Sequence, residues 1–276
     1  MIAYPSIDPV LLDFGPVKIH WYGVMYLLAF ASAWWLGRRR AVSSNGLITP
    51  QQVDDLIFYG AVGVVLGGRV GSVLFYNFDS FLSNPLYLFK IWQGGMSFHG
   101  GFLGVLVAMM LFKRKLGCGF FQLTDFIAPL VPLGLAAGRF GNFINGELWG
   151  GPSTLPWAMK LPCELYPPSQ YVDFAGPLCM SARHPSMLYQ MLLEGLLLFV
   201  LLWWYSRKTR PVMAVSGFFL AGYGLFRSLV ETIRLPDAHL GYLLGTDWLT
   251  MGMLLSLPML IIGLVFMFIA YRRPVA

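Results

Sequence analysis

The sequence predicts an all-α polytopic membrane protein with seven transmembrane helices and a small external head, its N-terminus outside and its C-terminus inside. Three observations lead to this fold class. Of the 276 residues, 57% are hydrophobic and only 12% are charged, whereas a soluble domain carries about 25% charged residues because water must solvate its surface. Apolar stretches of spanning length recur along the chain. The basic residues cluster after alternate stretches.

The composition excludes two other classes of protein. A disordered chain has low hydrophobicity and few aromatic residues, whereas 16% of this chain is aromatic. A small secreted scaffold held by disulfides needs many cysteines, and this chain has three. Since the mean hydropathy is +0.65, the main solvent of the chain is predicted to be lipid.

Seven apolar stretches have the length that crosses a hydrocarbon core of about 30 Å. The first, fifth and seventh are clear, and the other four contain glycine clusters. Of those four, all but the third stretch also contain an ionisable residue in or near the apolar run. The seven stretches cover residues 21–37, 56–76, 96–112, 124–144, 185–205, 215–233 and 250–271.

Basic residues in the short connections predict the orientation. Eleven of the 19 Lys and Arg residues follow the first, third, fifth and seventh stretches, which places them on one face if all seven stretches span. That face is cytoplasmic, because cytoplasmic loops carry an excess of Lys and Arg. The net charge of +6 is therefore a sign of topology, and no nucleic-acid partner is needed to explain it. The eleven residues are Arg38, Arg39, Arg40, Lys113, Arg114, Lys115, Arg207, Lys208, Arg210, Arg272 and Arg273.

The longest connection, 145–184, separates the fourth and fifth stretches and is too polar to span. We expect it to form a small external head inserted in a single integral membrane domain, 1–276. Cys163 and Cys179 fall in this head, where an oxidising compartment would allow a disulfide; two free, packed thiols are the alternative. The N-terminal segment lacks the basic start of a cleaved signal peptide and is expected on the same outer face.

Three arginines, Arg69, Arg139 and Arg227, lie inside apolar stretches. A charged side chain at the centre of a bilayer costs about 2.5–3.5 kcal/mol, so these side chains must face an interior, pair with acids or reach a lipid headgroup. The forked guanidinium suits a phosphate, and phospholipid headgroups are the most abundant phosphates in a membrane. The alternatives are structural ion pairs, between Arg227 and Glu231 at i+4 and between Arg139 and Glu147.

Other charged residues near the apolar stretches have simpler explanations. Glu194, deep in the fifth stretch, is expected to be a buried acid or an interhelical hydrogen-bond partner rather than a catalyst. Arg234, shortly before Asp237 at the end of the sixth stretch, could extend outward to the interface. Arg69 lies among the glycines of 67–71, which permit close helix packing, so a structural role is as plausible as a functional one.

His99 begins a glycine-rich run at the outer end of the third stretch. An imidazole can act as a general base near neutral pH, and Gly100 and Gly101 would let a substrate approach closely; a hydrogen-bonded packing residue is the alternative. Tyr22 and Tyr26 could belong to an aromatic belt at the interface. The sequence contains no spacing of His, Cys or acidic residues typical of a metal site, so we expect neither a metal nor a cofactor.

Several motifs resemble the signature of the prolipoprotein diacylglyceryl transferases, the bacterial enzymes that begin lipoprotein maturation. The longest is the run 138–150, Gly-Arg-Phe-Gly-Asn-Phe-Ile-Asn-Gly-Glu-Leu-Trp-Gly. Four further blocks follow the family's order along almost the whole chain, and the stretch 151–182 matches least. These blocks are His20-Trp21-Tyr22-Gly23, Met96-Ser97-Phe98-His99-Gly100-Gly101, Arg183-His184-Pro185-Ser186 and Tyr223-Gly224-Leu225-Phe226-Arg227 through Glu231.

The resemblance implies a reaction and its partners. An sn-1,2-diacylglyceryl group passes from phosphatidylglycerol to the thiol of the lipobox cysteine in a preprolipoprotein signal peptide, a thioether forms and glycerol 1-phosphate leaves. The expected protein is a monomer in the lipid bilayer of the bacterial inner membrane, with its head and active site on the periplasmic side. The reaction requires a thiolate and stabilisation of the departing phosphate, and a metal is not essential.

The resemblance also implies roles for the residues singled out above. His99 is expected to take the proton of the acceptor thiol, while Arg139 and Arg227 hold the phosphate and stabilise it as it leaves. Glu147 or Glu231 could instead be the base. The expected substrate-binding residues are Arg139, Asn142, Tyr22, Arg69, Gly100 and Gly101, and the expected residues that position the arginines are Glu147, Glu231 and Arg234.

Two other classes of protein share some of these features. A transporter or channel for an anionic solute would also place buried arginines in glycine-interrupted helices, but seven stretches do not divide into equal repeats and no internal similarity links the two halves. A membrane scaffold with structural ion pairs is the second rival, and it predicts no loss of chemistry when Arg139 is changed.

Overall fold

The computed structural model of the protein describes residues 1–15, 17–43, 47–90, 94–173, 175–236 and 241–272. Asp237 and Arg273, two of the residues considered above, lie outside the described residues. The chain divides into two compact units. The larger unit comprises Met1–Ser32 and Ile127–Ala276, and the smaller unit comprises Ala33–Phe126.

Helices form the framework of both units, and each of the seven predicted apolar stretches coincides with a helix or with a run of joined helices. The helices are α1 (Trp21–Val42), α2 (Pro50–Tyr76), α3 (Phe78–Ser83), α4 (Phe98–Leu116), α5 (Phe120–Ile127), α6 (Val131–Ile144), α7 (Ser186–Gln190), α8 (Leu198–Tyr205), α9 (Ala214–Glu231) and α10 (Met251–Arg272). A 3₁₀ turn, Ala128–Leu130, joins α5 to α6, and a π-helical segment, Met191–Leu197, joins α7 to α8.

Four helices within the described residues are long and apolar enough to cross a membrane. The other three long helices carry more charge: α1 and α4 end on basic clusters, and α9 contains Arg227 and Glu231. The protein is therefore helical with four candidate membrane-spanning helices, while the seven-span topology and its orientation stay predictions. The four helices are Pro50–Tyr76, Phe120–Ile144, Ser186–Tyr205 and Met251–Arg272.

In the smaller unit, α2 and α4 approach so closely that their backbones are in contact. A Cβ atom added at Gly63 would lie 2.7 Å from the carbonyl oxygen of Gly104, and one added at Gly71 would lie 2.7 Å from the Cα of Gly100. Small residues allow this kind of helix packing in lipid. Gly100, expected to admit a substrate, is thus used for helix packing, and Gly101 is buried on the same helix.

Arg69, on α2, is 3% exposed and directs its guanidinium at backbone carbonyls. Nε donates to the Leu88 oxygen at 3.0 Å, Nη1 to the Gly94 oxygen at 2.6 Å and Nη2 to the Tyr87 oxygen at 2.5 Å. The guanidinium also lies over the Tyr87 ring, 4.7 Å from its centroid. These contacts support the structural role that the sequence left open, in which Arg69 anchors the chain after α3, over the substrate-binding role.

Small residues also bring helices together in the larger unit. Gly224 of α9 packs on α10, where an added Cβ would lie 2.6 Å from the backbone nitrogen of Leu260. Gly195, in the π-helical segment, packs on α6, where an added Cβ would lie 2.8 Å from the Cα of Ala136. The polar side chains on these helices are therefore brought within reach of one another.

Short strands build the head and join it to the N-terminal segment. The strands are β1 (Ile2–Ala3), β2 (Val10–Asp13), β3 (Lys18–His20), β4 (Met159–Lys160), β5 (Val172–Asp173) and β6 (Gly176–Pro177). β1 and β4 pair in parallel, whereas β2 pairs with β3 and β5 with β6 in antiparallel fashion. The β1–β4 pair places the N-terminal segment beside 145–184. The core between them contains Tyr4, Phe143, Trp149, Leu161, Cys179 and Met187.

Two links brace the head. Cys163 and Cys179 form a disulfide with 5.1 Å between their Cα atoms, so the structure contains the pairing that the sequence left open. The fully buried Arg183 donates to Asp173 through Nη1 at 3.0 Å and through Nη2 at 3.3 Å. The disulfide joins the chain on either side of the β5–β6 hairpin, and the ion pair joins the last residue of β5 to the chain after β6.

Removing the disulfide tests how much the head depends on it. We expect the double variant Cys163→Ser/Cys179→Ser to lower the free energy of unfolding by about 3 kcal/mol, because a cross-link over a separation of 16 residues restricts the unfolded chain. Thermal unfolding of the detergent-solubilised protein, followed by tryptophan fluorescence, measures the change. Cys118→Ser, at the free cysteine of the smaller unit, is the control. An unchanged Tm in the double variant would contradict the expectation.

Candidate active site

Three charged side chains from three helical segments meet inside the larger unit. Glu194, in the π-helical segment, is fully buried. Its Oε2 lies 3.8 Å from Nη2 of Arg139 on α6, and its Oε1 lies 3.9 Å from Nη1 of Arg227 on α9. A buried carboxylate needs a compensating partner, so the arginines stabilise Glu194, and Glu194 in turn sets the spacing between them.

The local sequence explains why Glu194 reaches Arg139. The segment Met191–Leu197 is π-helical, a widened turn that is frequent at functional sites. Gly195, the next residue, packs against Ala136, and Arg139 lies about one helical turn beyond Ala136. A larger residue at position 195 would push the two segments apart and draw the carboxylate away from the guanidinium.

Glu231 extends the cluster along α9. Its Oε2 lies 3.1 Å from Arg227 Nη2 and 4.0 Å from Arg234 Nη1, and its Oε1 accepts a hydrogen bond from Thr250 Oγ1 at 2.9 Å. The Arg227–Glu231 pair predicted from the i,i+4 spacing is confirmed. Gly252 leaves the necessary room, because a Cβ atom there would collide with the Glu231 carboxylate.

The electrostatics of the cluster favour an anion. Its three guanidinium groups and two carboxylates carry a net charge of +1 in their usual states. Both contacts with Glu194 are longer than the about 2.7–2.9 Å of a charge-assisted hydrogen bond, and Arg227 Nη1 has no hydrogen-bond partner among the described residues. Donors therefore remain for a further acceptor, and phosphate matches arginine best. Within the described ranges, no group of three or more His, Cys, Asp or Glu could hold a metal ion.

Asn142 and Glu147 lie at the end of α6, beyond Arg139. Asn142 Nδ2 donates to Glu147 Oε1 at 2.8 Å, and Asn145 Nδ2 donates to the same oxygen at 3.3 Å. Among the described residues, the acid within 4.0 Å of Arg139 is Glu194, so the Arg139–Glu147 pair considered from the sequence is not formed. Glu147 instead holds the amide of Asn142.

Two tyrosines border Arg139. The Tyr223 hydroxyl, on α9, is close enough to Arg139 to interact with its charge. The Tyr22 hydroxyl, on α1, is close enough to Arg139 and Glu147 to interact with their charges. The Tyr22 ring packs against α6 at Gly141, where a Cβ would lie 2.8 Å from the ring. The structure thus brings Tyr22, Arg139, Asn142 and Glu147 together, while their roles in a site stay predictions.

The turn after α6 has an unusual backbone conformation. Leu148 has a φ of 62°, in the left-handed region where non-glycine residues are uncommon. Its carbonyl accepts a hydrogen bond from Ser186 Oγ at 2.5 Å, and Trp149 Nε1 donates to the Gly146 oxygen at 2.9 Å. Strained backbone of this kind clusters at functional sites, and here it positions Glu147.

A cavity of about 590 Å³ lies between this turn and the head. Glu147 and Arg234 line it, so it borders the charged cluster. Trp149, Tyr166 and Tyr171 supply its aromatic wall. Burial raises the pKa of the Tyr166 hydroxyl, which therefore stays protonated and able to donate a hydrogen bond at neutral pH.

The smaller unit carries the remaining predicted site residues. His99 is exposed in the first turn of α4, just after Ser97, whose side chain caps the helix by accepting a hydrogen bond from the Gly100 amide. His99 and Arg139 belong to different units, so the combination of this base with the phosphate-binding arginines stays a prediction. Gly100 packs against α2, and Arg69 donates hydrogen bonds to the backbone oxygens of Tyr87 and Leu88.

Three residues of the cluster, Glu194, Tyr223 and Thr250, are not predicted from the sequence to act in the site. An acid in an apolar stretch needs a partner, and that signal predicts Glu194 only as a buried acid or an interhelical hydrogen-bond partner. In the structure, Glu194 lies between Arg139 and Arg227 and sets the spacing between them. Tyr223 and Thr250 carry no comparable signal, because neutral hydroxyl residues occur throughout packed membrane helices.

The fold and the site together define an integral membrane protein with a buried, positively charged cluster suited to an anion. The chain belongs to the prolipoprotein diacylglyceryl transferase family, whose sequence profile matches residues 9–269. It is 56% identical to the phosphatidylglycerol–prolipoprotein diacylglyceryl transferase of Methylococcus capsulatus over 274 residues, 99% of each chain. Proteins of the same name from Marinomonas sp. and Pseudomonas aeruginosa are 55% and 53% identical, over 95% and 100% of this chain and 93% and 98% of theirs.

Replacing Glu194 by alanine tests its place at the centre of the cluster. We expect Glu194→Ala to lower the free energy of unfolding by about 3–5 kcal/mol, because Arg139 and Arg227 lose their shared buried partner. The change is measured by thermal unfolding in detergent. Glu164→Ala, at an exposed acid of the head, is the matched control. Equal Tm values for the two variants would show that the cluster does not depend on Glu194.

Proposed function

We propose that this protein transfers the sn-1,2-diacylglyceryl group of phosphatidylglycerol to the lipobox cysteine of a preprolipoprotein signal peptide and releases glycerol 1-phosphate. Membership of the family and the names of its relatives support the reaction and both substrates. The single structural observation that carries the proposal is the convergence of Arg139 and Arg227 on Glu194. It leaves a buried site with positive charge for a phosphate.

The proposed reaction balances without a further reactant. The acceptor thiol gives its proton to a base. The thiolate sulfur bonds to the carbon of the diacylglyceryl group that carries the phosphate, and the bond between that carbon and the phosphate oxygen breaks. The electron pair leaves with the oxygen, so a phosphodiester with one negative charge becomes a phosphomonoester that gains another. Stabilising this developing charge is the main electrostatic requirement.

Arg139 and Arg227 are assigned to the phosphate. They come from two different helices, and one carboxylate braces both, so their spacing is set before the substrate binds. Glu231 keeps Arg227 in place through the 3.1 Å contact, and the Tyr223 hydroxyl lies beside Arg139. The forked donors of both arginines fit phosphate oxygens.

Asn142 and Tyr22 are assigned to the polar groups next to the phosphate. Glu147 takes the amide donor of Asn142, which leaves the Asn142 carbonyl oxygen as an acceptor for a glycerol hydroxyl. Tyr22 carries a hydroxyl beside Arg139 and can donate to a phosphate oxygen. Glu147 and Arg234 complete the site by holding these groups and the acid Glu231 in position.

His99 is assigned as the base that takes the thiol proton, with Glu147 and Glu231 as the alternatives. A thiol is a weaker acid than an imidazolium by about two pKa units, so the transfer is uphill by about 2.7 kcal/mol. Neighbouring guanidinium groups stabilise a thiolate and offset this cost. Of the two glutamates, Glu231 is the less suitable base, since it is buried against Arg227 and Thr250.

We further propose that the chain is a single membrane domain with seven spans, the N-terminus outside and the C-terminus inside. The head 145–184 and the active site would face the periplasm, and the protein would act as a monomer in the bilayer of the bacterial inner membrane. Helices at all seven stretches, the basic last turns of α1, α4 and α10, and the pairing of β1 with β4 support this arrangement.

The transporter alternative finds no support among the three relatives described above, each of which is named as a transferase. The assay that separates the two functions contains purified protein, phosphatidylglycerol vesicles and a lipobox peptide. We expect the peptide to gain the mass of a diacylglyceryl group and glycerol phosphate to be released in equal amount. Folded protein that yields neither product would overturn the proposed function.

Replacing Arg139 by lysine tests its contact with the phosphate. We expect Arg139→Lys to reduce kcat/KM by about 100-fold, because the charge remains but the forked donors that stabilise the leaving phosphate are lost. Arg207→Lys, at an exposed arginine after α8, is the matched control. Near-normal turnover in Arg139→Lys would remove the residue from the phosphate site.

Replacing His99 by asparagine tests the choice of base. If His99 takes the thiol proton, His99→Asn should reduce kcat by about 100-fold or more, with unchanged thermal stability. The rate is followed by peptide mass over time. Turnover close to that of the unmodified protein would contradict the assignment and leave Glu147 as the next residue to test, through Glu147→Gln.

A further inference from the structure

The cavity between the turn after α6 and the head borders the phosphate cluster but is lined mostly by other residues. Its volume of about 590 Å³ lies within the range of about 300–1,000 Å³ that is typical of ligand sites. Four parts of the larger unit form its wall: residues 144–149 of the turn, head residues between 165 and 178, N-terminal residues between 6 and 9, and residues 234–236 after α9. Most of these residues have no part in the phosphate site.

Two side chains of the wall connect the cavity to the reacting groups. Arg234 lines the cavity and lies 4.0 Å from Glu231 of the charged cluster. Glu147 lines it as well and accepts the hydrogen bond from Asn142. A molecule in the cavity is therefore separated from Asn142 by the side chain of Glu147, and from Arg227 by the side chains of Arg234 and Glu231.

Of the two proposed substrates, the polypeptide matches the position of the cavity. The acyl chains of a phospholipid stay among the membrane helices, since they gain little from strands, turns and polar groups. In a signal peptide the apolar region comes first and the processing site follows it. Residues after the acceptor cysteine therefore emerge from the membrane, and in the proposed topology they emerge on the side of the head.

The wall of the cavity suits an extended peptide. Leu165 and Tyr171 are 57% and 42% exposed, so they present apolar surface to a bound side chain. Tyr166 packs edge-on against Tyr171, with 5.1 Å between the ring centroids. Asp173 adds a carboxylate to the same wall. An apolar surface with a few polar groups is the usual composition of a site that orients its ligand.

We propose that this cavity binds the extended polypeptide that follows the acceptor cysteine of the preprolipoprotein. The proposal rests on the proposed function, because it gives one substrate of that reaction a place in the protein. The Cys163–Cys179 disulfide and the Arg183–Asp173 pair brace the head residues of the wall. The wall is therefore formed before the peptide binds, which reduces the entropy lost on binding.

The test compares two lipobox peptides, one that ends at the acceptor cysteine and one that continues for about six residues, an extended length of about 20 Å. With wild-type protein in phosphatidylglycerol vesicles, we expect the longer peptide to have a KM about tenfold lower. In Leu165→Trp, the larger ring fills part of the cavity, and the ratio of the two KM values is expected to fall close to one.

The matched control is Leu155→Trp. Leu155 lies on the head, is 38% exposed and is not part of the cavity wall. We expect this variant to keep the wild-type ratio of KM values. Equal KM values for the two peptides in the wild-type protein, or a wild-type ratio in Leu165→Trp, would overturn the cavity proposal while both peptides are still lipidated. Lipidation of neither peptide would instead contradict the proposed function, and the cavity proposal with it.

A second measurement uses the unmodified protein. A longer peptide that carries a benzophenone shortly after the cysteine is irradiated in the presence of protein and phosphatidylglycerol vesicles, and the crosslinked residues are identified by mass spectrometry. We expect crosslinks at Leu165, Tyr166 or Tyr171. Crosslinks confined to the apolar helices would place the peptide elsewhere and overturn the proposal.

Discussion

A single buried carboxylate, that of Glu194, joins the functional parts of the larger unit. It lies 3.8 Å from Arg139 and 3.9 Å from Arg227, and each of these charges lowers the cost of burying the others among apolar helices. The electrostatic requirement therefore makes α6, the π-helical segment and α9 meet at one place. Because three arginines share two acids, positive charge remains, and the anion site follows from the same contacts that allow the charges to be buried.

Small residues make this arrangement sterically possible. In lipid there is no hydrophobic driving force for helices to associate, so close backbone packing has to hold them together. Gly195 allows the π-helical segment to approach Ala136, and Gly252 leaves room for the carboxylate of Glu231. In the smaller unit, Gly100 packs on α2 by the same rule. Gly195 and Gly252 therefore serve the placement of charges, and Gly100 serves the packing of α4 on α2.

The head depends on the end of α6 that also carries part of the site. The Tyr4 hydroxyl donates to the Phe143 carbonyl at 2.7 Å, and Trp149 donates to the turn after the helix. This turn holds Glu147, which lines the cavity and binds Asn142. In the proposed reaction, the phosphate cluster and the peptide cavity share residues, so the position of one substrate constrains the position of the other.

Composition, apolar stretches and i,i+4 spacing are local properties, and the sequence by itself determined what depends on them. These are the helical membrane class, the helices at the predicted stretches, the ion pair within α9 and, through the run 138–150, the family. The tertiary structure decided which distant groups meet: Arg139 contacts Glu194 and not Glu147, and Arg69 binds loop carbonyls. The physical reason is that such contacts join residues far apart in the chain. Their meeting depends on which helix faces pack together, and no local pattern contains that information.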